Sequence, residues 1–240
     1  MTFDPFGDYE TDGYLRNVAR EKDLAIVKRL EHASFLTGLD EAFAALAKRQ
    51  QLGYADVLRT HRILFEAVYP WAGQDRTQTA MRLTIRKGKT IFANPPDIRR
   101  AIEHALHRGR DKEVMRARPG EIMGYFAFGH PFLDGNGRTI MTVHSIMAQR
   151  AGFSIDWPST DQADYLNALT EELEAPGNGI LDNYLGPFVG KAIAYDQLSA
   201  QVLGVAGLDG SAQAIEVVGD SAEASVNAEY QAMRKKRGEE

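Results

Sequence analysis

The sequence contains no cysteine, which excludes disulfide bonds and a thiol nucleophile and is compatible with a reducing compartment. It also lacks an apolar run as long as a membrane span, and its first residues lack the basic segment of a signal peptide. The net charge of -5 at pH 7 gives no general attraction to nucleic acid or to anionic membranes. We therefore expect no membrane and no specific nucleic acid among the partners of this protein.

Apolar residues recur at three- and four-residue spacings through most of the chain, which is the pattern of helices with one buried face. The spacing predicts a mostly α fold, with helices over residues 22–46, 54–68, 97–108, 121–129, 138–147, 161–174 and 180–205. Residues 1–20 read as a polar, extended lead-in, and the charged stretch 109–119 as a solvated loop. Beyond residue 204 the composition shifts to Gly, Ala, Ser and acidic residues. We predict a domain over residues 1–204 and a C-terminal appendage over 205–240 with the composition of a flexible segment.

One short region has the pattern of β structure. Residues 79–84 and 89–92 carry β-branched and long side chains on either side of Arg86-Lys87-Gly88, which predicts a β-hairpin. It is either a small solvated hairpin whose basic residues prevent edge pairing, or a flap whose edge strand pairs with an extended segment of another protein. In the second interpretation the docking residues are Lys89, Thr90, Ile91 and Phe92.

The residues best suited to chemistry lie together in His130-Pro131-Phe132-Leu133-Asp134-Gly135-Asn136-Gly137-Arg138, directly before the apolar stretch 139–147. Gly135 and Gly137 have no Cβ, so the chain between them can adopt positive φ and point successive N–H groups into one concavity. The helix that we expect to begin near Arg138 adds its free N–H groups and the positive end of its dipole. This loop predicts a phosphate site.

Three side chains of the loop extend this prediction. Arg138 offers a planar fork of donors that matches phosphate oxygens. Asp134 would repel a phosphate in direct contact, so its carboxylate predicts an Mg²⁺ ion bridging the two. His130, with an ordinary pKa of about 6.5, could take a proton from an attacking hydroxyl. A Gly-Asn-Gly turn or a lone histidine is commonly structural, but this order of residues ahead of a helix favours catalysis.

The nine residues resemble the signature of Fic domains, HPFx(D/E)GNGRxxR. Residues 69–77 resemble the segment that precedes the β-hairpin flap of this family, and residues 92–96 resemble the segment that follows it. The resemblance covers about residues 15–200 and implies a Fic-type helical bundle with a β-hairpin flap.

The resemblance also implies an activity, namely Mg²⁺-dependent transfer of a nucleotide-derived group, most often AMP from ATP, to a Ser, Thr or Tyr hydroxyl of a target protein. It implies that His130 is the base, that Asp134 holds the metal ion and that Phe132 anchors the loop. The protein would then act in the cytoplasm, or in a host cytoplasm if it is a secreted effector, and an antitoxin or other regulatory partner is compatible with this family. The phosphates would be held by Gly135, Asn136, Gly137 and Arg138.

The chain departs from the signature at Met141, where the family has a second arginine that grips the γ-phosphate. This leaves three alternatives open: transfer of AMP from ATP, use of another donor (another nucleoside triphosphate, CDP-choline or phosphate transfer), or a degenerate Fic module that binds nucleotide or a partner without catalysis. Many Fic proteins are silenced by a helix with the pattern (S/T)xxxE(G/N), whose Glu pairs with that second arginine. Residues 170–175 and 225–230 match it incompletely, and without the arginine we expect no self-inhibition of that kind.

Overall fold

The computed structural model describes residues 3–205 and 216–237 and is mostly helical, which confirms the predicted fold class. The helices are α1 (Tyr9–Asp12), α2 (Leu24–Ala47), α3 (Tyr54–Phe65), α4 (Arg76–Thr79), α5 (Pro95–Arg110), α6 (Lys112–Ala117), α7 (Pro119–Gly129), α8 (Asn136–Arg150), α9 (Gln162–Glu174), α10 (Ile180–Leu185), α11 (Leu198–Leu203) and α12 (Ala224–Lys236). The strands are β1 (Leu83–Lys87), β2 (Thr90–Ile91), β3 (Phe153–Ile155), β4 (Val189–Lys191) and β5 (Glu216–Asp220). Single 3-10 turns span Tyr14–Arg16, Trp157–Ser159, Gly186–Phe188 and Tyr195–Gln197.

Helix α8 lies at the centre of the bundle and is buried along most of its length, between α2, α3 and α7. Helix α5 packs along α7. The loop predicted to bind phosphate therefore connects two core helices, and its ends are held by the packing of both. Within the described ranges no helix combines the length and the apolarity that a bilayer span requires.

Local sequence signals explain where several helices begin. The Asp23 side chain accepts a hydrogen bond of 2.8 Å from the Ala25 N–H and caps α2. Pro95 and Pro96 occupy the first turn of α5, where a proline needs no intrahelical partner. Helix α5 thus starts at Pro95, two residues before the predicted position.

Three sequence predictions are wrong in detail. The predicted helix over 180–205 is broken after α10, because Pro187 cannot continue it, and β4 then pairs with β3. The charged stretch 109–119 contains α6, whose first turn is capped by the side chain of Asp111. The lead-in contains α1 and a 3-10 turn and buries Tyr14 and Leu15, so it is not extended.

The predicted β-hairpin is present as β1 and β2, with its first strand beginning at Leu83 because residues 76–79 form α4. Strand β5 pairs antiparallel with the other side of β1, which gives a three-stranded sheet in the order β2-β1-β5. The hairpin thus has one edge covered by the C-terminal segment, and β2 forms the other edge.

The described part of the predicted appendage, residues 216–237, is a strand and a helix that pack on the domain. The Tyr230 hydroxyl donates a hydrogen bond of 2.8 Å to the Asp97 carboxylate and accepts one of 3.1 Å from the Asn94 N–H. The Arg237 guanidinium lies 3.9 Å from the centre of the Phe128 ring. Residues 206–215 and 238–240 lie outside the described residues, and the domain boundary at 204 stays a prediction.

Candidate active site

The loop takes its shape from two left-handed residues, one at each end. His130 ends α7 with φ 38° and ψ 60°, and Gly135 precedes α8 with φ 74°. A Cβ on Gly135 would lie 2.5 Å from Cε2 of Phe65, so both the conformation and the space require glycine. Gly137 differs from our prediction, because α8 already begins at Asn136 and Gly137 lies in its first turn without positive φ. A Cβ on Gly137 would meet nothing within 4 Å, so this face of the helix start is open.

The interior of the loop is held by Asn136, Phe132 and His61. The Asn136 amide donates to the Phe132 carbonyl at 2.8 Å and accepts from the Phe132 N–H at 2.9 Å, so this side chain closes the loop with its oxygen and one of its two N–H groups. Phe132 is buried and stacks on the His61 ring, with 3.7 Å between ring centroids. The predicted anchoring role of Phe132 thus agrees with its position.

His61, on α3, positions the loop. Its Nδ1 accepts a hydrogen bond of 2.9 Å from the Gly73 N–H, which leaves the proton on Nε2, 3.1 Å from the Asp134 carbonyl oxygen. Burial lowers the pKa of His61 to about 3, so the ring is neutral at cellular pH. The sequence signal for this role was only its place on the buried face of α3.

His130, the candidate base, has a buried ring nitrogen and a neutral imidazole. Its Nε2 is buried and has no hydrogen-bond partner among the described residues. The ring stacks on Phe92, with 3.9 Å between centroids, and Arg76 donates a hydrogen bond of 2.8 Å to the His130 carbonyl oxygen. Burial, together with the charges of Arg76 and Lys87, holds the pKa of His130 well below its usual value. The imidazole is therefore neutral and able to accept a proton.

The predicted phosphate arginine and metal ligand belong to a buried ionic cluster. The Arg138 Nη2 donates to the Glu31 carboxylate at 2.6 Å and lies 3.8 Å from Asp134. The Lys28 ammonium donates to both oxygens of Glu31 at 3.1 Å and also to Asp134. The Tyr69 hydroxyl donates to Glu31 as well. We define these five residues as the ionic cluster.

The exposed fractions of the side chains show how enclosed the ionic cluster is: 0% for Glu31, 5% for Arg138, 17% for Lys28 and 19% for Asp134. Burial alone would raise the pKa of Asp134, but Lys28 and Arg138 outweigh it and lower that pKa to about 2. Arg138 keeps one buried donor, Nη1, without a partner among the described residues. The site can thus offer a phosphate this N–H and the first N–H groups of α8.

Residues 51–148, which include the loop, match the model of the Fic/DOC family. This segment of the chain is a Fic/DOC-family domain. It is 30% identical over 177 residues to protein adenylyltransferase VbhT of Bartonella schoenbuchensis, in an alignment that covers 70% of this chain and 35% of VbhT. It is 27% identical over 164 residues to the probable protein adenylyltransferase y4lH of Sinorhizobium fredii, which covers 65% of this chain and 81% of y4lH. The chain thus spans about a third of the length of VbhT.

Solved structures show the same fold. BepC of Bartonella tribocorum with bound AMPPNP superimposes with a TM-score of 0.59 at 18% identity, over 73% of this chain and 91% of BepC. The N-terminal Fic domain of a VirB-translocated Bep effector from Bartonella quintana with bound ADP gives a TM-score of 0.57 at 20% identity, over 70% of this chain and 88% of that domain. The resemblance read from the loop is therefore confirmed for the family and for the fold.

Where Fic domains have the second arginine, this chain has an apolar core residue. Met141 is 2% exposed and packs inside the bundle with the other apolar residues of α8. Of the two partial matches to the inhibitory pattern, the one on α12 places Glu229 4.0 Å from Arg86 of the flap. The carboxylate that pairs with Arg138 belongs instead to Glu31, on α2.

The flap places its second strand beside His130. Phe92, which stacks on His130, directly follows β2, and its N–H donates to the Ile85 carbonyl at 3.1 Å. Thr90 and Ile91 are 7% and 4% exposed, and α9 lies alongside β2, whereas Lys89 is exposed. The predicted docking edge thus adjoins the candidate base but is partly covered by the chain itself.

A divalent cation fits Asp134 poorly in this arrangement. One carboxylate oxygen accepts a hydrogen bond of 2.7 Å from the Gly135 N–H, and the other contacts the Lys28 ammonium. No group of three or more carboxylate or imidazole side chains suited to a metal occurs in the described part of the chain. The Mg²⁺ ion that the sequence led us to expect on Asp134 would have to displace a bonded cation.

Proposed function

We propose that this Fic domain transfers a nucleotide-derived group, with AMP from ATP as the leading candidate, to a Ser, Thr or Tyr hydroxyl of a target protein. One observation carries the proposal: His130 has a neutral imidazole with a buried, unpartnered nitrogen, and it begins the loop whose other end is the N-terminus of α8. A module that only binds nucleotide has no need of such a base.

The reaction follows from these positions. The target hydroxyl gives its proton to Nε2 of His130 while its oxygen attacks the α-phosphorus of the donor. The bond from the α-phosphorus to the bridging oxygen of the β-phosphate breaks, and its electron pair leaves with pyrophosphate. Charge that develops on the phosphate oxygens is stabilised by the free N–H of Arg138 and by the first turn of α8. Positioning of hydroxyl, donor and base supplies much of the rate.

The relatives support the class of reaction and the class of ligand. VbhT and y4lH are named protein adenylyltransferases, and the compared Bartonella structures hold AMPPNP or ADP. Several compared structures are VirB-translocated effectors, which supports an effector that acts in a host cytoplasm. Action in the cytoplasm of the producing cell, an antitoxin partner and the docking role of residues 89–92 remain proposals.

A second candidate function is binding of nucleotide or of a partner protein without transfer. Two observations favour it: Met141 supplies no γ-phosphate ligand, and Glu31 already pairs with Arg138. The presence of His130, the candidate base, argues against a module that only binds.

A labelling experiment separates the candidates. A target lysate is incubated with the protein and, in parallel, with ATP labelled at the α-phosphate, ATP labelled at the γ-phosphate, or CDP-choline labelled in the choline. Protein-bound label from the α-phosphate alone supports AMP transfer. Label from the γ-phosphate indicates phosphate transfer, and label from choline indicates that CDP-choline is the donor. Tight nucleotide binding with no label in protein from any donor would favour the binding module.

A further inference from the structure

The Lys28 ammonium sits between the two carboxylates of the ionic cluster. It donates hydrogen bonds to both carboxylate oxygens of Glu31, at 3.1 Å each, and to Oδ2 of Asp134. An ammonium group has three hydrogens, so all of its donors are engaged. Lys28 is thus fixed on Asp134 and does not project freely toward a ligand.

The charges of the ionic cluster balance only because Lys28 is present. Glu31 and Asp134 contribute two negative charges, and Arg138 and Lys28 contribute two positive ones. Without Lys28 the cluster would carry a net negative charge at the place where a polyphosphate must bind. Neutralising a carboxylate beside a phosphate is the task for which we had expected a divalent cation on Asp134.

The two cations also exclude one another. A metal ion on the oxygen of Asp134 that Lys28 contacts would lie against an ammonium group, and the other oxygen is bonded to the Gly135 N–H with Arg138 3.8 Å away. Like charges at such separations repel strongly when they are shielded from water. Metal binding would therefore require Lys28 to leave both of its carboxylate partners.

We propose that the Lys28 ammonium is the resident cation of this Fic site and takes the place on Asp134 that a divalent metal would need, so that the phosphate donor binds with no metal ion on Asp134. The statement about the donor rests on the proposed function, whereas the statement about the cation concerns Asp134 alone and can be tested without nucleotide.

The first test uses Mn²⁺ alone, followed by electron paramagnetic resonance. We expect the wild type to bind Mn²⁺ no more tightly than about millimolar, the range of weak carboxylate sites. Lys28→Met should bind Mn²⁺ at least about tenfold more tightly, and this gain should disappear when Asp134→Asn is added. Arg29→Met, which removes the same charge from the exposed face of α2 next to Lys28, is the matched control and should behave as wild type. A submillimolar wild-type site that is lost in Asp134→Asn would overturn the proposal.

The second test measures the affinity for ADP with Mg²⁺ and with EDTA. The wild type and Lys28→Arg, which keeps the charge, should change by less than about twofold between the two conditions, whereas Lys28→Met should bind at least about tenfold more weakly in EDTA than in Mg²⁺. A wild-type affinity that falls tenfold in EDTA would contradict the proposal, even if Lys28→Met does not fold. If ADP binds in neither condition, the proposed function fails, and the Mn²⁺ titration still decides the identity of the cation.

Discussion

Glu31→Gln should weaken the fold and strengthen phosphate binding at the same time. The side chain is fully buried and accepts hydrogen bonds from Arg138, Lys28 and Tyr69. The substitution keeps the shape but removes the charge, which leaves two buried cations with one carboxylate. Breaking a buried ion pair from one side costs about 3–5 kcal/mol, and an amide oxygen retains part of the hydrogen bonding, so we expect a loss near 3 kcal/mol. For a chain of this length that corresponds to a fall in Tm of about 6–12 °C.

The gain in affinity has the same origin. Glu31→Gln changes the net charge of the ionic cluster from zero to +1 and leaves the Arg138 N–H that donates to Glu31 with a weaker, neutral acceptor, so that a phosphate oxygen can compete for it. A hydrogen bond between a charged donor and a phosphate oxygen contributes about 1.5–3 kcal/mol, so the Kd for ADP should fall by about tenfold or more.

Calorimetry of ADP binding and thermal unfolding of the same samples measure both effects. Glu172→Gln is the matched control, because Glu172 is 1% exposed but accepts from two backbone N–H groups, those of Gly177 and Leu181. It should lower Tm and leave ADP affinity unchanged. An unchanged Tm in Glu31→Gln, or an affinity that falls with stability, would refute this account of the ionic cluster.

Three further predictions concern His144, which is buried on α8, the loop glycines and Met141. Burial lowers the pKa of His144 to about 4 from an ordinary 6.5, so below pH 6.5 the unfolded chain binds a proton that the native state does not. As the pH is lowered from 6.5 to 4, the free energy of unfolding should therefore fall by up to about 1.4 kcal/mol per pH unit. Urea titrations of His144→Gln should show a shallower fall than those of the wild type. Gly135→Ala should cost about 1–3 kcal/mol of stability, because φ is positive and Phe65 fills the space. Gly137→Ala should leave stability unchanged or raise it, and should weaken ADP binding, because the new methyl group lies on the open face of the helix start. Equal Tm values for the two variants would contradict this prediction. Met141→Arg should raise the affinity for ATP about tenfold more than the affinity for ADP. It should also lower Tm, because the position is 2% exposed and a charge would be buried there. Met141→Leu is the control, and equal changes for the two nucleotides would mean that the site has not lost a contact with the γ-phosphate.

Local signals in the sequence were enough to predict the loop, the core helices and the hairpin. The nine residues of the loop are contiguous, and the buried faces of helices such as α7 and α8 repeat over several turns. Strands β3 and β4 are three residues each, too short for an alternating pattern to be recognised. The helix predicted over 180–205 was wrong because the apolar spacing continues past Pro187, whereas the proline ends the helix.

The parts of the site that sequence reasoning missed depend on distant pairings. Lys28 and Asp134 are 106 residues apart, and nothing near Lys28 indicates that its ammonium meets the loop. Glu31 offered a weak signal, since it lies four residues after Val27 on the buried face of α2, where an unpaired carboxylate would be costly. A buried charge requires a partner, but the sequence alone does not say which residue supplies it.

The central claim is that His130 is the base of a transfer from nucleotide to protein. Its most direct test is the rate at which α-phosphate label moves from ATP to protein under single-turnover conditions, compared among the wild type, His130→Ala and His107→Ala. His107 is an exposed histidine on α5 and serves as the control. We predict that His107→Ala transfers label at the wild-type rate and that His130→Ala is slower by about 10²–10⁴-fold with its affinity for ADP retained. Transfer by His130→Ala at the wild-type rate would contradict the account.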